Sequence, residues 1–470
     1  MNEILDVIIV GGGSAGLSAL REVRKHTEHF VIINDGPWGT ICARVGCMPS
    51  KALIEAANAF HRRNTFEEFG IRGSDQLTLD IPAALQRVRQ LRDDFVASTV
   101  KTTEELGKRA ISGRARFLAP DRLEVNGKEL RARKIIIATG SRPIIPASWN
   151  SLNDRLLTTD ILFEQKTLPA RMAVIGMGFI GVEMAQALSR FGIKVTAFGG
   201  NQFAGLTDPQ VIATATDLLE KEFPLHRGEK ANLNLVHEGV QVRAGNLEIV
   251  VDCVLAALGR RPNIDHLGLE ALGISLDQHG MPLVNPNTMQ VADLPVFMAG
   301  DANDQAPLLH EAADEGYIAG LNAMRSDPLC FTRRTPLTII FTDPNIAIVG
   351  NRFQTLDPEK TLVGEVHFDR QGRARVSQRN KGIQRLYADA ESGRLLGAEM
   401  CAPAGDHMAH LLALAIDRSL TVQQLLRLPF YHPVLEEGMR TALRTLAAQL
   451  PVVNEFDLSM CGTFNTEALD

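Results

Sequence analysis

Cysteine is scarce in this chain: six residues in 470, at Cys42, Cys47, Cys253, Cys330, Cys401 and Cys461. That sparsity excludes the disulfide framework of a small secreted protein. No apolar run approaches the roughly 18 to 20 residues a membrane helix needs. The opening MNEILDVIIVGGG has acids where a secretory signal would have lysine or arginine. A cytoplasmic protein without a membrane partner is expected. Basic excess is missing as well: 49 Lys and Arg face 55 Asp and Glu, a net charge of −6 that leaves no footprint for nucleic acid. The acid surplus is too mild for a disordered acidic chain, and low-complexity linkers and short solenoid repeats do not occur. What is there is ordinary globular material, 45% apolar and 22% charged, long enough for about three domains. Small molecules are the expected partners.

Against that scarcity, the stretch TICARVGCMPSK (40 to 51) spends two of the six cysteines five positions apart. Five residues of continuous helix rise about 7.5 Å and turn about 500°, so Cys42 and Cys47 would point to different faces. A bridge between them requires an irregular turn. Gly46 can supply it, and MPSKALIEAANAFHRR then reads as a helix with Cys47 at its entrance, where the positive end of the dipole favours a thiolate. The pattern suits a reducible, functional disulfide; the plain alternative is two unrelated buried thiols. Zinc is disfavoured because no second close Cys or His pair with ligand spacing follows. Asp406, His407 and His410 lie close together, but on an apolar-periodic stretch without a further ligand cluster, so no metal is expected there.

A redox disulfide needs an electron source, and the chain contains two nucleotide patterns. DVIIV (6 to 10) is followed by Gly11, Gly13 and Gly16, with Ser14 inside the turn, and then by the helical LSALREVRKH. The same grammar returns in RMAVIG, with Gly176, Gly178, Ile180 and Gly181, then VEMAQALSRFG and the strand IKVTAF. Each reads as strand, phosphate turn and helix, where glycines let the backbone approach a pyrophosphate on the helix N-terminus. The predicted fold class is therefore α/β, with two Rossmann-like dinucleotide-binding domains.

These motifs together resemble the flavin-dependent pyridine nucleotide disulfide oxidoreductases, and within that family its dihydrolipoyl dehydrogenases. GTICARVGCMPSK resembles the family's redox disulfide segment. KIIIATGSRP (134 to 143, with Thr139 and Gly140) is similar to the motif closing the first flavin half, and AALGRRPN (256 to 263, with Gly259) to the end of the nicotinamide insert. VFMAGDAND, with Asp301, resembles the flavin-contacting segment, and FYHPVLEE (430 to 437) the C-terminal acid/base signature. The resemblance implies FAD-binding residues 1–145, an NAD(P)-binding insert 146–265, a central domain 266–335 completing the FAD site, and an α+β dimerisation domain 336–470. It also implies a homodimer.

By the same resemblance Cys47 lies against the flavin and Cys42 exchanges with substrate. Lys51 sits beside the flavin and is paired by Glu183, which meets the nicotinamide; Thr40 belongs to the flavin-binding segment. His432 supplies the base that thiol exchange needs near neutral pH, and Glu437 fixes its tautomer, with Glu436 an outside candidate. Some positions depart from the pattern. The acid expected to bind ribose at the first site reads Asn34, followed by Asp35. At the second it aligns with Gly199, and no arginine follows before Arg227. Arg44 stands between the cysteines where an uncharged residue is common, and Cys461 lacks the second cysteine of relatives with a C-terminal relay pair. The expected activity passes two electrons between a dihydrolipoyl dithiol, on a carrier protein or a small molecule, and NAD, with NADP not excluded. Alternatives are a glutathione- or mercuric-reductase-like enzyme using reduced nicotinamide, or a redox sensor without turnover.

Overall fold

A computed structural model describes residues 4–451, so Cys461 lies outside the described residues. The chain forms two compact units. Residues up to Glu55, Asp80–Leu168 and Leu255–Arg333 make one; Ala56–Leu79, Pro169–Val254 and the residues from Arg334 make the other.

In the first unit the run containing DVIIV forms strand β1 (Ile4–Val10), followed by helix α1 (Ser14–Val23) and strand β2 (Phe30–Asn34). β1 pairs in parallel with β2 on one side and with Lys128–Ile137 on the other. Val296–Met298 then adds in parallel to Lys128–Ile137. Val7, Ile8 and Ile9 are fully buried, as expected of a parallel strand covered on both faces. The helical reading of LSALREVRKH overshoots, because α1 stops at Val23 and Lys25-His26-Thr27 offers no apolar residue to bury.

The second unit repeats the unit strand–helix–strand. Arg171–Ile175, the helix Phe179–Arg190 and Lys194–Gly199 are followed by Leu225–Arg227, the three strands parallel. It also holds a five-stranded antiparallel sheet in the order Leu337–Ile340, Asn345–Gly350, Leu395–Ala402, Ile383–Asp389, Thr361–His367. One face of that sheet packs on the helices Gly405–Asp417 and Glu437–Ala447, around Val349, Phe368, Met400, Leu412 and Leu443.

The first phosphate turn brings backbone against backbone. Gly11 has φ +117°, a left-handed conformation, and a Cβ at Gly16 would run into the Gly11 carbonyl oxygen. Gly16→Ala is expected to cost about 1–3 kcal/mol by overpacking, measured by urea unfolding; unchanged stability would show that the turn can relax.

Candidate functional site

The redox stretch folds as two helices with a break between them. Thr40 caps the short helix α2 (Ile41–Val45), its Oγ1 accepting from the Ala43 N–H at 3.0 Å. Gly46 then leaves helical geometry at φ −118° and ψ −114°, and helix α3 (Cys47–His61) begins at Cys47. A Cβ at Gly46 would lie 3.1 Å from the Ile41 carbonyl oxygen and 3.2 Å from Cys42 Cα, so the break is tight as well as irregular. It brings the half-buried Cys42 and Cys47 into hydrogen-bond contact. That bond, with burial and the Cys47 charge, pushes the Cys42 thiol far above the usual thiol range. Ionising one sulfur of the pair therefore disfavours ionising the other. Ser50 donates to the Cys47 carbonyl at 3.0 Å, and Lys51 follows one turn along the helix. The Arg44 stem passes 3.1 Å from where a Cβ of Gly39 would stand.

Around the first phosphate turn lies a cleft of about 710 Å³ lined by Gly11, Asn34, Asp35, Arg114, Thr139 and Arg142, among others. Gly13 caps α1 without a side-chain hydrogen bond, and a Cβ at Gly13 would meet open space among the described residues. Asn34 faces inward: Oδ1 accepts from the Gly12 N–H at 3.0 Å, and Nδ2 donates to the Gly36 and Pro37 carbonyls at 3.1 and 3.2 Å. Asp35 accepts from Arg114 Nε at 2.7 Å. Thr139 Oγ1 is buried without a hydrogen-bond partner, an orphan that a ligand's polar atom would satisfy. Gly140 takes φ +69°. Asp301 Oδ2 accepts from Ser141 Oγ at 2.6 Å. A helix entrance without a side-chain cap, a roomy polar cleft and an orphaned hydroxyl fit a dinucleotide held through its pyrophosphate.

Sequence reasoning missed the group that holds this segment. Glu315, fully buried, accepts from the Gly300 N–H at 2.7 Å, from Asn303 Nδ2 at 2.8 Å and from Arg333 Nη2 at 2.9 Å. Burial pushes its carboxyl up, opposed by those three donors. It fixes the turn that carries Asp301.

The second phosphate turn follows the same plan. Gly176 has φ +104°, and Gly178 caps the helix carrying Ile180 and Gly181 without a side chain, its own Cβ position open. Glu183 is 6% exposed, and its Oε1 accepts from the Phe341 N–H at 2.8 Å. At Gly199 the expected carboxylate is absent and its place is closed, since a Cβ there would stand 2.8 Å from Met177 Cβ. Gly259 takes φ +96°, and its carbonyl accepts from the Ile144 N–H at 3.0 Å.

His432 and Glu437 form a pair of their own. His432 Nδ1 is 3.0 Å from Glu437 Oε1, while Glu437 Oε2 accepts from the Val434 N–H at 3.1 Å. Glu437, not Glu436, carries the bond. The bond to His432 holds the Glu437 carboxyl below the usual range, so the pair persists above that range and is lost as pH falls through the lowered pKa. The imidazole, 81% exposed, has Nε2 left for chemistry. Elsewhere, Cys401 is buried and its thiol is pushed up to about 12, and His410 Nδ1 bonds to the Asp406 carbonyl at 2.6 Å.

The chain belongs to the pyridine nucleotide-disulphide oxidoreductase family, which it matches over residues 5–316, with the family's dimerisation domain over 337–443. Dihydrolipoyl dehydrogenase of Thermus scotoductus is 30% identical across 94% of this chain and 98% of that protein. Mercuric reductase of Shigella flexneri is 29% identical across 94% of this chain and 80% of that protein. The fold is shared with LpdA of Mycobacterium tuberculosis, TM-score 0.82, 24% identical, covering 94% of this chain and 99% of that one. The HOCl-induced flavoprotein disulfide reductase RclA of Escherichia coli superimposes at TM-score 0.83, 21% identical, covering 94% and 99%. The chain is thus an oxidoreductase of the disulfide class, and the family implies FAD and a pyridine nucleotide. Among the described residues no helix is long and apolar enough to cross a membrane.

The contact between the sulfurs makes a prediction about protonation. In the dithiol form, Cys47→Ser should bring the Cys42 pKa down toward the ordinary thiol range, because the bond and charge that raise it are gone. Thiolate ultraviolet absorbance followed against pH reads this directly, and a Cys42 that titrates unchanged in Cys47→Ser would contradict the assignment.

Proposed function

We propose that the chain is a dihydrolipoyl dehydrogenase: a homodimeric flavoprotein that oxidises a dihydrolipoyl dithiol and delivers two electrons to a pyridine nucleotide. The observation that carries this reading is the Cys42–Cys47 contact across the Gly46 break. Full-length similarity to the Thermus scotoductus dihydrolipoyl dehydrogenase supports it. NAD is the acceptor the family resemblance favours, although the second strand end has no carboxylate to repel a 2′-phosphate. The four-part division at about residues 145, 265 and 335 belongs to the same proposal.

In the oxidised enzyme a substrate thiolate attacks Cys42 Sγ of the Cys42–Cys47 disulfide. The S–S bond breaks, a mixed disulfide forms on Cys42, and Cys47 leaves as thiolate. The second substrate thiol then attacks the substrate sulfur bound to Cys42, closing the substrate disulfide and releasing Cys42, which is reprotonated as it leaves. His432 Nε2, oriented by Glu437 through Nδ1, accepts the first thiol's proton and releases it to solvent, then accepts the second thiol's proton and returns it to the departing Cys42 sulfur. A bound FAD supplies the two-electron acceptor that returns Cys42 and Cys47 to the disulfide. Gly11, Gly13, Ser14, Thr139 and Asp301 would hold it, and Gly176, Gly178, Ile180 and Gly181 would hold the nucleotide.

Steady-state turnover tests the reading. Dihydrolipoamide with a pyridine nucleotide, NAD or NADP, should be the productive pair, against glutathione disulfide with NADPH and Hg(II) with NADPH as controls. His432→Ala should lower kcat by about a hundred- to ten-thousandfold. Dominant glutathione or mercuric turnover would favour the second reading, which Arg44 between the cysteines and the Shigella flexneri relative support.

By family resemblance, His432 and Glu437 act in the partner subunit's site. Mixing Cys42→Ser with His432→Ala subunits should then restore activity on subunit exchange, since each heterodimer keeps one intact site and one doubly damaged site. No recovery after demonstrated exchange would assign the histidine to its own chain.

A further inference from the structure

Strand register brings together two residues that lie 28 positions apart in sequence. Gly199, at the end of the second strand of the second nucleotide fold, pairs with Arg227, at the end of the third. The Gly228 N–H donates to the Gly199 carbonyl at 2.9 Å and ties the two ends. Arg227 Nη2 donates to the Asn201 carbonyl at 3.1 Å, in the turn that follows Gly199, and Nη1 to Thr216 Oγ1 at 3.2 Å. The guanidinium lies 4.8 Å from the centre of the buried Phe203 ring. Its Nε is buried without a hydrogen-bond partner. Both acceptors are neutral, and among the described residues no carboxylate pairs with Arg227. The carboxylate next in sequence, Glu229, lies against Gly245.

A half-buried cation with no counter-ion and an unsatisfied donor is unfavourable unless an anion completes it. The anion that reaches this place is set by the fold. In a Rossmann unit the end of the second strand meets the adenosine ribose, where a carboxylate binds the 2′-hydroxyl of NAD and repels the 2′-phosphate of NADP, and a nearby arginine accepts that phosphate. Here the carboxylate is absent, Met177 closes the space a side chain would take at Gly199, and a guanidinium stands one strand over. We propose that Arg227 is the specificity-determining residue of the nucleotide site and recognises the 2′-phosphate, so that the site takes NADP(H) and binds it more tightly than NAD(H). This rests on the reading of the second fold as a pyridine nucleotide site and not on the identity of the dithiol.

The test uses the FAD-loaded enzyme and two adenine probes that carry no nicotinamide, adenosine 2′,5′-bisphosphate and 5′-AMP, with binding read by calorimetry. Wild-type protein should bind the bisphosphate at least about tenfold more tightly, the range of a charge-assisted hydrogen bond. The preference should shrink as salt is raised. In Arg227→Gln the bisphosphate affinity should fall to within about threefold of that for 5′-AMP, as expected when a charged donor becomes neutral, and Arg227→Lys should keep an intermediate preference. Equal binding of the two probes by wild-type protein overturns this assignment alone and needs no variant to fold. A preference that survives in Arg227→Gln also overturns it. Failure of both probes to bind would overturn it together with the nucleotide-site reading beneath it.

Discussion

The chemistry of this molecule depends on a break in a helix. Residues five apart on a continuous helix face away from one another, and a pair of sulfurs in that position has no common reactivity. Gly46 turns the chain between Ile41–Val45 and Cys47–His61, and a Cβ there would press on the backbone it turns against. The same break that lets the sulfurs meet also makes them unequal. One sulfur opens a long helix and the other sits in a single turn behind it. With the two sulfurs bonded to one another, ionising one disfavours ionising the other.

Placing such a pair beside a cofactor requires turns that do not move, and buried charge fixes several of them. Glu315 gathers the Gly300 N–H, Asn303 and Arg333 at the Asp301 turn. In the second unit, Glu399 accepts from the Thr207 and Asp208 N–H groups, and Asp208 accepts from Arg385 and Tyr387, each at 2.8 Å. Arg190, 3% exposed, is held by Glu222 and Asp343. Breaking such a group by removing one partner leaves an uncompensated buried charge and costs about 3–5 kcal/mol. These groups serve geometry rather than reaction. They account for acids and arginines at positions where an apolar residue would otherwise be expected.

What was legible in the sequence was local. The two strand–turn–helix units announce themselves because glycine is forced where the backbone approaches a carbonyl or a phosphate, and the forced positions have fixed spacing. The cysteine pair and the HPVLEE signature are legible because the members of each lie five positions apart. Groups assembled by tertiary contact are not. Nothing near Glu315 in sequence points to the Gly300 turn, fifteen residues upstream. Arg227 lies 28 positions beyond Gly199, yet parallel pairing makes them neighbours. Sequence distance is a poor guide across a parallel sheet, where a whole helix separates adjacent strand ends.

The two nucleotide folds show how one departure can have opposite physical causes. At the end of β2 the expected acid is replaced by Asn34, an amide that turns inward. It accepts from Gly12 and donates to the Gly36 and Pro37 carbonyls, a two-way role that a carboxylate, which only accepts, cannot fill. The polar side chain has been diverted from the ligand to the phosphate turn itself, and Asp35 beside it pairs with Arg114. At the end of Lys194–Gly199 the side chain has been deleted and Met177 occupies its space. The first change keeps the cleft polar and neutralises its rim, whereas the second removes the negative charge that would oppose Arg227. Two copies of one supersecondary unit thus reach different electrostatics without altering the glycine pattern that defines both.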